Sequence, residues 1–274
     1  MLKQRVITAS ILFVVFLAAL FGLPAIGWQA LVLVVMGQGA VEWARLSGLS
    51  GRAATAYWVM TLVMMAGMLW FDGSVAIEWQ TWQHLAWYVL AVLFWVFVVP
   101  AWMIASWRPQ NRWLLGAAGW VVLLPTGLAM LDLRAYSPWL LLFVMTVVMM
   151  ADISAYFAGK RFGKNKLAPA ISPGKTWEGV FGALAGVTLY VVSVWWFSGL
   201  YKQYPILPGV ILAGWWWVAL SVIGDLFESA IKRQAGVKDS GALLPGHGGL
   251  LDRIDALTST LPFAAIALIL QRLE

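Results

Sequence analysis

The chain has 274 residues, 62% hydrophobic and only 11% charged, where a soluble domain carries roughly a quarter charged residues. That excludes a water-soluble globular class and makes the bilayer the solvent, while zero cysteines exclude disulfides and thiolate-held metals. The excess of 18 Lys+Arg over 12 Asp+Glu gives +6; in so apolar a chain its placement carries the meaning, and no nucleic-acid partner is expected.

The first stretch, MLKQRVITASILFVVFLAALFGLP, has the charged start and apolar run of a signal peptide. No small-residue cleavage site follows it, so it reads as a retained first span. Nine apolar segments run along the chain, at roughly 6–23, 25–44, 53–71, 85–104, 113–131, 138–158, 179–198, 206–227 and 256–271. Most approach the length of about 20 residues that a helix needs to cross hydrocarbon. The expected fold is therefore an all-α polytopic membrane protein. Pro24, Pro138 and the Pro205/Pro208 pair mark span starts or short loops. No internal repeat is visible.

Orientation follows from the basic residues. With the N-terminus cytoplasmic, fifteen of the 18 Lys and Arg fall on cytoplasmic segments, and only Arg134, Lys202 and Arg272 fall outside. Cytoplasmic loops are the ones enriched in Lys and Arg, so nine spans are expected, with the C-terminus outside. The polar residues then sort themselves. An ionisable group at the centre of a span costs about 2.5–3.5 kcal/mol and normally faces a polar cavity. Asp152 in the sixth span and Asp225 and Glu228 near the end of the eighth lie at one face. The first five spans show little beyond Gln38 and Glu42. Residues 1–135 are therefore expected to be mainly scaffold. Residues 136–274 are expected to hold the site, with cytoplasmic loops 159–178 and 228–255.

The first of those loops reads DISAYFAGKRFGKNKLAPAISPGKTWEG, 152–179. Asp152, Tyr156 and Gly159 share one side of a helix end. Ser172-Pro173 reads as a helix start with a capping serine, which would put Lys175 and Thr176 in the first turn and Glu178 close behind. That arrangement suits a phosphate; the plainer alternative is a basic loop facing anionic headgroups. Gly174-Lys175-Thr176 is no P-loop, because Pro169 stands where that motif needs glycine and no strand is expected before it.

The second loop carries IKRQAGVKDS and then GHGGLLDRID. Asp225 closes the eighth span and Asp252 opens the ninth, so the two carboxylates can meet at one surface. Aspartate oxygens suit a hard cation such as Mg2+. Lys232, Arg233 and Lys238 between them can hold phosphates. Gly246, Gly248 and Gly249 allow backbone N–H groups close to a ligand, and the helix start that follows favours an anion. The constellation suggests a metal-bound polyphosphate. Each member has a plainer reading alone: Asp252 with Asp255 as a helix cap, Lys232 and Arg233 as interfacial anchors, His247 as a surface histidine, and Asp225 salt-bridged to Lys232 or a neighbouring span. The 19 tryptophans fit interfacial belts and packing.

The stretch SAIKRQAGVKDSGALLPGHGGLLDRID, 229–255, resembles the signature of the phosphatidate cytidylyltransferases, or CDP-diacylglycerol synthases, of bacterial type. Ser229, Lys232-Arg233, Lys238-Asp239, His247-Gly248-Gly249 and Asp252-Arg253-Ile254-Asp255 fall on its pattern without departure. SPGKTWEG at 172–179 and the DISAY segment at 152 resemble the family's other polar segments. The resemblance implies an enzyme of the bacterial inner membrane, active at the cytoplasmic face, joining CTP or dCTP to phosphatidate with release of pyrophosphate. It implies Mg2+ held by Asp225 and Asp252, leaves open a second, monovalent cation such as K+, and implies a homodimer. Lys232, Arg233, Lys238 and Lys175 would neutralise phosphates; Ser172, Thr176, Glu178, Ser229, Arg253 and Asp152 would complete the substrate surface. His247 reads as a phosphate donor, and Asp239 and Asp255 as further ligands or supports. The rival readings are a CTP-dependent polyprenol-type kinase, which lacks this signature, and an ion or solute transporter, which would hold its charges near the midplane.

Overall fold

The computed structural model describes residues 2–74, 77–202, 206–243 and 248–273. The expectations placed on Pro205, Gly246 and His247 lie outside the described residues. Helices follow the apolar segments: α1 (Leu2–Gly22), α2 (Ala25–Leu46), α3 (Gly51–Ser74), α4 (Ile77–Leu93), α5 (Val99–Ile104), α6 (Arg112–Tyr136), α7 (Pro138–Phe162), α8 (Trp177–Phe197), α9 (Leu207–Gln234) and α10 (Leu251–Leu273). A π-helical turn, Phe94–Val98, joins α4 to α5 as one rod. It ends two positions before Pro100, which has no N–H for the regular ladder. Each of the nine expected spans thus has its helix. Among the described residues, eight stretches are long and apolar enough to cross a membrane; the ninth is the apolar Ser10–Gly22 of α1.

Local chemistry sets the helix ends. Asn111 caps α6, its side chain accepting from Trp113 N at 2.9 Å and Leu114 N at 3.3 Å. Pro138 opens α7, where a missing N–H costs nothing. α9 runs to Gln234, well beyond the expected end at 227, and stops where Gly236 adopts φ +72°. Lys232 and Arg233 in its last turn favour the negative end of the helix.

Hydrogen bonds tie the bundle at both ends. At one end, Trp43 Nε1 donates to Leu115 O at 2.8 Å, Tyr57 OH to Gly116 O at 3.0 Å, and Gln234 Nε2 to Pro109 O at 2.6 Å. At the other, Trp28 Nε1 donates to Met130 O at 3.1 Å, and Arg134 reaches the carbonyls of Leu20 and Leu23. α6 and α10 are the most enclosed helices. Around them Trp43, Phe94, Trp95 and Trp102 surround the buried Phe227 of α9. A second apolar cluster joins α7, α8 and α9 through Val147, Ala183, Val187 and Val218. There α7 and α8 approach closely because small residues face each other. A Cβ on Gly182 would strike Ala158, and one on Gly186 would strike Ser154, the small-against-small packing of membrane helices.

The loop between α7 and α8 differs from expectation. Ser172 does not start a helix. Ser172–Thr176 is a strand, β2, paired antiparallel with β1 (Lys166–Ala168) in register Lys166↔Thr176 and Ala168↔Ser172. Thr176 is the true cap of α8, its hydroxyl accepting from Gly179 N at 3.1 Å. Lys175 therefore sits on a strand, not in a first helical turn.

Candidate active site

The β hairpin, α7, α8 and α9 enclose a cavity of about 480 Å3 at the end of the bundle where α9 stops and α10 begins. Its polar lining includes Asp152, Tyr156, Lys160, Ser172, Lys175 and Asp225. The hairpin is held by its base: Asn165 N and Nδ2 donate to Glu178, the shortest at 2.7 Å, and Trp177 N donates to Asn165 O at 3.0 Å. Glu178 is thus engaged in fixing the loop. Arg233 is exposed on α9 and donates to Ile171 O at 3.4 Å and Val237 O at 3.2 Å, tying the hairpin turn to the end of α9.

Because α9 continues past 227, Asp225, Glu228, Ser229 and Lys232 share one helical face at spacings of three, four and seven. The two aspartates nominated from the sequence engage different lysines. Asp225 pairs with Lys175 of β2, both side chains about a quarter exposed, and Ser229 Oγ lies 3.4 Å from Asp225 Oδ1. Asp252 pairs with Lys232, whose Nζ is 2.5 Å from Asp252 Oδ1 and 2.6 Å from Glu228 Oε2. Lys232 and Glu228 are buried. The suggested Asp225–Lys232 bridge is therefore replaced by Asp225–Lys175.

Asp252 lies inside the first turn of α10 and is not its N-cap. Its Oδ2 reaches back to Gly249 N at 2.8 Å and takes Ser240 N at 2.9 Å and Ser240 Oγ at 3.0 Å. The N–H groups of Leu250 and Leu251 instead go to Glu42 of α2, each at 2.9 Å. Glu42 brings the N-terminal segment to the site, and its partners are about 200 positions away in sequence. Gly248, at φ +80°, lies so that a Cβ would meet Asp252 Oδ2 at 2.6 Å; a Cβ on Gly249 would strike Ser240 Oγ and Glu42. They make room for carboxylates of the chain itself. Asp255 is partly buried, with Ala256 N donating to its Oδ1 at 2.8 Å. Lys238, Asp239 and Arg253 are exposed.

A third polar group lies at the opposite end of the bundle and was not singled out by motif. His84 of α4 sits between two carboxylates, Nδ1 2.8 Å from Asp132 of α6 and Nε2 3.1 Å from Asp72 of α3. Tyr88 OH donates to Asp132 at 2.7 Å. Its members are 12 and 48 positions from His84, with no spacing signal to join them.

The model of the cytidylyltransferase family matches residues 3–270. The chain belongs to the cytidylyltransferase family. Its relatives include the phosphatidate cytidylyltransferase of Pseudomonas aeruginosa, 42% identical over 273 residues and covering 97% of both chains. That of Haemophilus influenzae is 35% identical over 285 residues, covering 96% of this chain and 97% of its own. That of Brucella melitensis is 33% identical over 264 residues, covering 94% and 90%. The resemblance seen in residues 229–255 thus extends over nearly the whole family length.

The fit of a divalent cation can be judged from the donors. Among the described residues no three His, Asp or Glu side chains form a ready-made cage. Mg2+ commonly takes only one or two carboxylates and completes its shell with water and substrate phosphates. Asp225 fits that role: it lines the cavity, and beyond Lys175 it has one long contact to Ser229. Asp252 is more heavily engaged, with donors on both oxygens.

Proposed function

We propose that this chain transfers the cytidylyl group of CTP, or dCTP, to phosphatidate, giving CDP-diacylglycerol and pyrophosphate. The observation that carries the reading is that the 229–255 segment starts one helical turn beyond Asp225 on the cavity wall. Lys175 and Asp225 sit at that wall, and Lys232, two helical turns further along α9, holds Asp252 of α10. A cavity between helices at one end of a bundle serves a lipid phosphate held in the bilayer and a nucleotide arriving from water.

An oxygen of the phosphatidate phosphate attacks the α-phosphorus of CTP. One P–O bond forms there as the bond from the α-phosphorus to the bridging oxygen breaks, and pyrophosphate leaves with that electron pair. No covalent enzyme intermediate is needed, since positioning and charge neutralisation dominate phosphoryl-type transfer. The lipid phosphate is already ionised near neutral pH, so the step requires no strong base. Lys175 neutralises phosphate oxygens by exchanging Asp225 for them, because both lie on the cavity wall. Lys232 holds Asp252 and Glu228 in place. Arg233 and Lys238, exposed at the rim, draw the triphosphate in. Asp225 and Asp252 would hold Mg2+, which when bound supplies further neutralisation of the phosphates. The reading places this end of the bundle on the cytoplasmic side of a bacterial inner membrane, supported by the basic residues gathered there, and takes the enzyme as a homodimer, as the family likeness implies.

The test uses purified protein in detergent–phosphatidate micelles with Mg2+ and CTP labelled separately at the α- and γ-phosphates. The α label should enter the lipid while the γ label leaves as pyrophosphate. Transfer of the γ label to an added polyprenol or diacylglycerol would replace this reading with a kinase.

A further inference from the structure

Glu42 stands apart among the ionisable residues of the first five spans. It is 1% exposed on α2 and accepts four hydrogen bonds. Gln38 Nε2 and Leu250 N, both at 2.9 Å, meet Oε1; Leu251 N at 2.9 Å and Ser240 Oγ at 2.8 Å meet Oε2. Four donors match the roughly four lone-pair sites of a carboxylate. Two of them are N–H groups at the start of α10, which have no partner within their own helix. Ser240 is the informative contact. Its hydroxyl lies 2.8 Å from Glu42 Oε2 and 3.0 Å from Asp252 Oδ2. A hydroxyl carries one hydrogen, so it serves one carboxylate at a time and couples the placement of both. The backbone has been cleared for this approach: a Cβ on Gly241 would stand 2.9 Å from Glu42 Oε1, and one on Gly249 would strike Glu42 Oε2.

We propose that Glu42 is a positioning residue for the reaction, holding Asp252 in place through Ser240 and the first turn of α10. The proposal rests on the cytidylyl-transfer reading and adds to it a contribution from the N-terminal half of the chain. A plain helix cap would need only the two N–H groups. Glu42 also reaches, through one hydroxyl, the carboxylate that faces Lys232.

The test compares Ser240→Ala, Glu42→Gln and Glu42→Ala in full-length purified protein, with kcat, KM for CTP and thermal midpoint measured for each. Ser240→Ala removes the bridge to Asp252 but leaves both N–H groups of α10 on Glu42. It should lower kcat about tenfold while KM changes less than about threefold and the midpoint stays put, within the roughly 10–100-fold range of outer partners of such sites. Glu42→Gln turns an acceptor into an N–H donor and should lower kcat by about 30–100-fold. Wild-type kcat in Ser240→Ala, with Glu42→Gln losing only thermal stability, would overturn the proposal and leave Glu42 a cap. Should the wild type itself transfer no cytidylyl group, the functional reading fails instead, so the two failures are distinct.

Discussion

The two lysine–carboxylate pairs differ in burial, and that difference predicts a measurable contrast. Lys232→Met removes an ammonium whose side chain is 10% exposed, from between Glu228 and Asp252 at 5% and 7%. Two buried carboxylates then face each other with Glu228 deprived of its Lys232 contact, and its Oε1 has no hydrogen-bond partner among the described residues. Breaking a buried pair from one side costs about 3–5 kcal/mol, because the remaining charge is uncompensated. Lys175→Met removes an ammonium paired with Asp225 at side-chain exposures of 25% and 27%, where water reaches both groups. Its cost should be about 1 kcal/mol or less. Both substitutions should abolish turnover, but only Lys232→Met should markedly lower the thermal unfolding midpoint in detergent. The 19 tryptophans provide an intrinsic fluorescence signal for that measurement. Equal midpoints for the two variants would refute the reasoning that Lys232 works in a desolvated network.

Asp225→Asn and Asp252→Asn should each abolish label transfer from CTP while the protein still inserts and purifies normally; retained activity in both would remove them from the machinery. His84→Ala, at the opposite end of the bundle, removes the imidazole contacts to Asp72 and Asp132 and should lower stability by about 1–3 kcal/mol with kcat unchanged; a midpoint equal to that of the wild type would show that the cluster bears no load. Because the chain has no cysteine, single cysteines at the exposed Ser50 and Ser198 report sidedness directly. A membrane-impermeant maleimide added to intact cells stripped of their outer membrane should label position 198 and spare position 50; the reverse pattern would invert the assigned orientation.

How far the fold could be read from the chain depends on whether partners are near in sequence. Hydropathy located every helix, because crossing hydrocarbon demands a long uninterrupted apolar run. Asp225, Lys232 and Asp252 stood out because charge is rare in such runs. The end of α9 was placed too early because apolarity, not helicity, was the guide; the stop signal at Gly236 lay further on. Ser172-Pro173 imitated a helix start, but the pairing of β1 with β2 and the Asn165–Glu178 contact, 13 positions apart, decided otherwise. Glu42 was visible as a charge in the second span, yet its partners at 240, 250 and 251 were not, since no local rule joins positions so distant.

On the proposed function, the charged residues of this chain would keep the site assembled before its substrates arrive. Lys175 and Lys232 are the groups suited to phosphate, and both are held by carboxylates. An unpaired charge at that depth would be costly, so each lysine needs a partner while it waits. The partly exposed pair can exchange its carboxylate for a phosphate oxygen at small cost. The buried pair cannot, because Lys232 contacts two acids at once and Asp252 is further fixed by Ser240 and Gly249. On the proposed function, Lys175 would therefore be the lysine that moves toward substrate, and Lys232 the one that keeps the frame. Glu42, with four neutral donors around it, sits where it can steady Asp252.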